Sequence, residues 1–150
     1  MREILFRGKP KDKDCQMFKN LQIHMQDGFI YGSLIVQDDA YYICTSAIKS
    51  NKSYINNGIV TMVEVSPETV GQYTGLTDKN GTKIFEGDIV KDEQSGYEYV
   101  IKWFSEYACF ALANKSGHME YDVDEFEMLV NDLIVFGNIH DNPKLLEVSE

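Results

Sequence analysis

The stretch from Gln72 to Lys91 constrains this chain most, because it sets turn formers at close intervals between two β-rich halves. Asp78-Lys79-Asn80-Gly81 supplies residues that tolerate positive φ, and Asn-Gly between apolar flanks is the strongest short-range signal for a tight hairpin. Glu86-Gly87-Asp88 repeats the device. Gly87 can take a backbone conformation a side chain forbids, and Asp88 can hydrogen-bond its own backbone as the chain enters Ile89-Val90. These residue types bend backbone and leave no reacting group, so the stretch reads as architectural.

Strand signals lie on both sides. Residues 2–8 form an opening strand, and Leu21, Ile23 and Met25 alternate with polar neighbours as in a half-buried strand. Phe29 to Val36 is aromatic and β-branched, with Gly32 marking a bulge or a close backbone approach; with Ala40 to Thr45 it predicts an antiparallel hairpin turning at Gln37-Asp38-Asp39. Ser46 to Gly58 is polar and asparagine-rich, and is expected to be a mobile loop. Ile59 to Val65 places Thr61, Val63 and Val65 on one face and Val60, Met62 and Glu64 on the other. Ser66-Pro67-Glu68-Thr69 reads as a single helical turn with Ser66 as its cap.

In the second half, Asp88 to Asp92 and Tyr97 to Phe104 are strands joined by the turn 93–96. The later strand sets Tyr97, Tyr99, Ile101 and Trp103 on one face and Glu98, Val100, Lys102 and Phe104 on the other. An aromatic strip of this kind either lies against a core or stays open as an interface. Tyr97, Tyr99 and Trp103, with Lys102, are therefore the candidate interaction face. Tyr107 to Ala113 alternates again, Asn114 to Gly117 closes a hairpin, and 120–129 predicts a short acidic helix or an irregular crossing. Leu133 to Phe136, continuously apolar, predicts a strand buried on both sides, and Asn142-Pro143 begins a brief helix with Asn142 as cap.

The sum is a mainly β chain of two small lobes with short helical turns. The expected division is a 1–65 N-terminal β lobe and a 66–150 C-terminal lobe that contains the 72–91 hinge and curls into a small SH3-like barrel. At 150 residues such a chain buries a core without disulfide or metal staples. Cys15, Cys44 and Cys109 are far apart and form no CxxC, as expected of reduced thiols. With no signal-peptide or membrane-span pattern, the expected location is the cytoplasm.

Net charge narrows the partners. A formal charge of −10 opposes the clustered cations that nucleic-acid binding requires, so nucleic acid is a disfavoured partner. Two roles remain to set beside a plain interaction protein. One is a single-strand-binding barrel that stacks bases on Tyr97, Tyr99 and Trp103, with Lys91 and Lys102 near the strand. The other is an acidic mimic of DNA that occupies a host protein.

Catalytic and ligand patterns are sparse. Asp78-Lys79-Asn80-Gly81-Thr82 resembles the start of an EF-hand loop, but Lys83 stands sixth where glycine is needed and Ile89 twelfth where glutamate is needed. His24, His118 and His140 form no metal-ligand spacing, and GxSxG, P-loop and GxGxxG patterns are absent. Asp122, Asp124, Glu125 and Glu127 could gather a divalent cation for nuclease-like chemistry, but no lysine stands at catalytic spacing among them. The expectation is a protein with no catalytic residue, no cofactor and no metal.

Five segments together resemble the YopX family. They are Met1-Arg2-Glu3-Ile4-Leu5-Phe6-Arg7-Gly8; Tyr31-Gly32-Ser33-Leu34-Ile35; the long block from Val65-Ser66-Pro67-Glu68 through Gln72-Tyr73-Thr74-Gly75 to Gly81; Ile84 to Val90; and Phe136 to Leu146. The resemblance runs through the chain in order, and the central block carries its specificity. It implies a phage- or prophage-encoded protein, mainly β, built of two lobes and self-associating, with a hexamer among the assemblies expected. It brings no enzymatic activity and no catalytic residue. The 46–58 segment departs from shorter family members.

Overall fold

The computed structural model describes residues 2–14, 25–46 and 60–147, with the side chains of Ser46 and Val60 outside the description. Most of the half-buried strand expected before Met25, and nearly all of the expected 46–58 loop, lie outside the described residues. The chain divides into two compact units, essentially Glu3–Gln72 and Tyr73–Glu150.

The first unit is an antiparallel sheet of β1 (Phe6–Gly8), β2 (Met25–Gln26), β3 (Phe29–Gln37), β4 (Ala40–Ser46), β5 (Val60–Val65) and the first two residues of β6 (Gly71–Thr77). The strand order is β5-β4-β3-β1-β6, with β2 beside β3. The β3–β4 hairpin forms as expected. Asp38 and Asp39 both take positive φ, 49° and 63°, the conformation whose twist matches that of paired strands. Gly32 is a close approach: a Cβ there would sit 2.0 Å from the Cys44 carbonyl oxygen. On β5 the predicted alternation holds, with Thr61, Val63 and Val65 buried and Met62 exposed. Ile30, Ile43, Val63 and Val65 make the core of this unit, each contributing about 2 kcal/mol by burial. Pro67–Thr69 is a 3₁₀ turn, but Ser66 does not cap it with its side chain. Thr69 does the local work, its hydroxyl donating to the Ser66 carbonyl at 2.6 Å and accepting from the Lys9 N–H at 2.9 Å.

The second unit begins with the rest of β6 paired to β7 (Lys83–Phe85). It continues as a five-stranded antiparallel sheet of β8 (Asp88–Asp92), β9 (Glu98–Phe104), β10 (Cys109–Ala113), β11 (Met119–Tyr121) and β12 (Leu133–Asn138), ordered β11-β10-β9-β8-β12. Two of its turns each have a side chain that satisfies the backbone. Asp92 accepts from the Gln94 N–H and the Ser95 hydroxyl, and these bonds, the hydroxyl's first, hold its carboxyl below the ordinary aspartate range. Asn114 Oδ1 accepts from the Ser116 and His118 N–H groups at 3.0 and 3.1 Å. The acidic segment is helical: α1 (Val123–Leu129) starts in a capping box in which Asp122 and Glu125 bond each other's backbone N–H.

Two expectations are corrected. The SH3-like barrel does not close, because β11 and β12 are the two ends of an open sheet. The chain between them runs through α1 and a 3₁₀ turn at Val130–Asp132, and Phe126 of α1 fills the core with Ile84, Val90, Tyr99, Ile101, Leu112 and Leu133. A helix packed on one face does what strand closure would otherwise do. Nor is β12 buried on both sides. Leu133 is fully buried and Val135 packs on the core, but Phe136, pointing the other way, is 39% exposed. The core built around Phe126 covers one face of this sheet, and Phe136 lies on the other, so an apolar run need not be buried on both sides. At the C-terminal turn, Pro143–Leu146, Asn142 does not cap. Its Oδ1 folds back to accept the Asn138 N–H at 3.1 Å.

Candidate functional site

One groove in the second unit brings chemistry-bearing side chains together. Its walls are Gly96 and Tyr97 with the start of β9 (Glu98 and Tyr99), the 114–116 part of the β10–β11 turn, and Glu120 and Tyr121 of β11; it is an open groove of about 760 Å³. The Asp92 turn and the Asn114 turn position these walls, since each fixes the end of a strand that enters the groove.

The floor is aromatic. Tyr99 is 8% exposed and meets Tyr121 edge to face, with ring centroids 5.5 Å apart at 75°. Burial foremost, then the Tyr121 hydroxyl beside it and the Asp92 and Glu120 carboxylates, pushes the Tyr99 hydroxyl up to about 12. Tyr97, two residues earlier on the same face, is 68% exposed and stands at the rim. The polar side chains are mated across the groove. Lys115 Nζ lies 3.0 Å from Glu98 Oε2, and Asn114 Nδ2 donates to Glu120 Oε1 at 2.8 Å.

The sequence-derived face is thus distributed over two places. Tyr97 and Tyr99 line the groove. Trp103 lies farther along β9 on the same face, 40% exposed, with its ring 4.9 Å from that of Phe110, the residue directly opposite on β10. Lys102 projects from the opposite face, donates to the Gly117 carbonyl at 3.2 Å, and sits 5.2 Å from the Phe104 ring. Tyr99 is too enclosed to offer a ring face to a base, and no continuous row of platforms joins it to Trp103.

Glu98, Asn114, Lys115, Glu120 and Tyr121 were not singled out from sequence as parts of a site. The available signal was strand register: Ile101 pairs with Leu112, and Leu112 with Tyr121, which carries Tyr121 onto the same face as Tyr99. Asp122 and Glu125 are occupied with the helix start, and among the described residues no group of three His, Cys, Asp or Glu side chains is placed to hold a metal ion. Among the described residues no helix is long and apolar enough to cross a membrane.

No curated protein matches the chain. Among solved structures, the crystal structure of protein EF1440 from Enterococcus faecalis is similar, with 20% identity and a TM-score of 0.50, covering 98% of this chain and 100% of that one. At that identity the likeness speaks for the fold. A family model described as YopX protein matches residues 6–147. That span opens at the first residue of β1 and takes in both sheets, the groove and the C-terminal turn, so the chain belongs to the YopX family.

Proposed function

We propose that this protein is a non-catalytic interaction protein of phage or prophage origin that self-associates inside the host bacterial cell. The observation that carries the interaction role is the groove of the second unit. Its carboxylates are already matched, Glu98 to Lys115 and Glu120 to Asn114, around a tyrosine floor. What such a surface offers a partner is shape, aromatic area and charge, the elements of recognition. Self-association and phage origin rest on the family resemblance, whose members are expected to assemble, a hexamer included.

Sedimentation velocity tests the assembly. A species at a multiple of the 17.2 kDa chain, persisting at micromolar concentration, is expected. Sedimentation as a 17.2 kDa monomer across that range overturns self-association.

A further inference from the structure

We propose that the groove between Tyr97 and Tyr121 is a binding site for an arginine side chain presented by a basic peptide segment. This deepens the interaction reading and rests on it.

Size sets the first limit. A groove of about 760 Å³ is in the range that holds a small ligand or a few residues of peptide, and it is larger than one side chain needs. The occupant is therefore a segment that lies along the groove and inserts one group.

Charge sets the second. Two carboxylates, Glu98 and Glu120, face one ammonium, Lys115, and the whole chain carries −10. A phosphate or an acidic peptide would enter against that field, and a cation enters with it.

The aromatic floor decides which cation. Tyr97 presents an open ring at the rim, and Tyr121 leans edge-on to Tyr99 beneath it. A guanidinium is flat and weakly hydrated, so it stacks on a tyrosine ring while its N–H fork addresses a carboxylate; an ammonium is a strongly hydrated point charge and does the first less well. The acceptor is at hand. An ionised carboxylate has roughly four acceptor positions, of which Asn114 engages one at Glu120 Oε1. The segment's guanidinium thus stacks against Tyr97 and bonds Glu120, while Glu98, already paired with Lys115, adds to the negative lining of the groove.

The test is calorimetric titration of the full chain at low salt with the peptide Gly-Ser-Arg-Ser-Gly, blocked at both ends, and with peptides in which citrulline or lysine replaces the arginine. Citrulline keeps the shape and loses the charge. The arginine peptide is expected to bind about 10-fold more tightly than the citrulline peptide, with the lysine peptide between them. Tyr97→Ala and Glu120→Gln are each expected to weaken the arginine peptide by about 5-fold or more. Tyr107→Ala, which alters an exposed tyrosine outside the groove, leaves it unchanged. Thermal unfolding of each variant confirms that the fold is retained. Absence of binding, equal binding of arginine and citrulline, insensitivity to both groove substitutions, or tighter binding of an oligothymidylate would overturn the proposal. A chain that assembles in the ultracentrifuge but ignores the arginine peptide defeats this inference and leaves the self-association reading standing.

Discussion

The carboxylate of Asp78 accepts the backbone N–H of Val135 at 2.9 Å, joining residues 57 positions apart. The same side chain accepts from the Asn80 and Thr82 N–H groups at 2.8 and 2.9 Å, and it is only 5% exposed. One buried aspartate thus shapes the β6–β7 turn and covers the middle of β12, where the sheet edge would present a bare donor. The Lys79 N–H, bonded to the Leu133 carbonyl at 3.1 Å, continues the cover.

Asp78→Ala would leave three backbone donors without their acceptor, two in the turn and one on the edge strand. The expected loss is on the order of 3 kcal/mol, as hydrogen bonds to a charged acceptor are stronger than neutral ones and stranded donors add their own cost. Urea unfolding checks this. A lower midpoint with unchanged slope is expected, and an unchanged midpoint would show that the turn and edge stand without Asp78.

Gly32→Ala places a methyl group 2.0 Å from the Cys44 carbonyl oxygen, an atom that cannot retreat without breaking the β3–β4 ladder. The expected cost is roughly 3 kcal/mol or more, enough to lower the soluble yield of the chain. Gly81→Ala is the comparison. Its φ of 81° is unfavourable for alanine, but nothing lies within 4 Å of the added methyl, so a cost of about 1 kcal/mol is expected. Thermal unfolding of the two variants should separate them clearly; equal losses would mean that the contact at Gly32 relaxes at little cost.

Tyr99 predicts an alkaline signature. Its hydroxyl titrates near 12 in the folded chain, against 10.0 ordinarily, so the folded state holds a proton that the unfolded state releases first. Its contribution is fully present below pH 10.0 and is lost as pH rises toward 12, amounting to about 2–3 kcal/mol at most. Tyrosinate absorbance should show one of the nine tyrosines ionising late or only with unfolding, and Tyr99→Phe should remove that step. A Phe variant that keeps the late step would assign it elsewhere.

Asp122→Ala removes the side chain that accepts from the Asp124 and Glu125 N–H groups at the start of α1. A loss of about 1 kcal/mol is expected, seen as a fall in Tm of roughly 2–4 °C. Because Phe126 of this helix is core to the second unit, the effect should appear in the global transition. A transition confined to helix fraying, with Tm unmoved, would uncouple the cap from the core.

The legible part of this protein is the part dictated by neighbours in sequence. Aspartate, asparagine and glycine prefer bends through their own side chains and dihedral freedom, so the Asp38-Asp39 turn and the Asn114 turn could be read directly, whereas Gly32 stood for either a bulge or a close approach until the structure set it against Cys44. Period-2 alternation likewise placed Val63 and Met62 on opposite faces. Tertiary structure decided the rest, since a face is buried only where something distant covers it. Tyr99 and Trp103 share one side of β9, but Tyr99 belongs to the cluster that includes Phe126 and Trp103 does not. The SH3-like barrel was the natural end of a run of short strands until a helix took the place of closure. The groove was invisible for the same reason: Glu98 meets Lys115, and Tyr99 meets Tyr121, only after three strands have paired. Local preference acts within a few bonds, while strand register and burial are set by packing between residues far apart in the chain, and that is where the chemistry of this protein assembles.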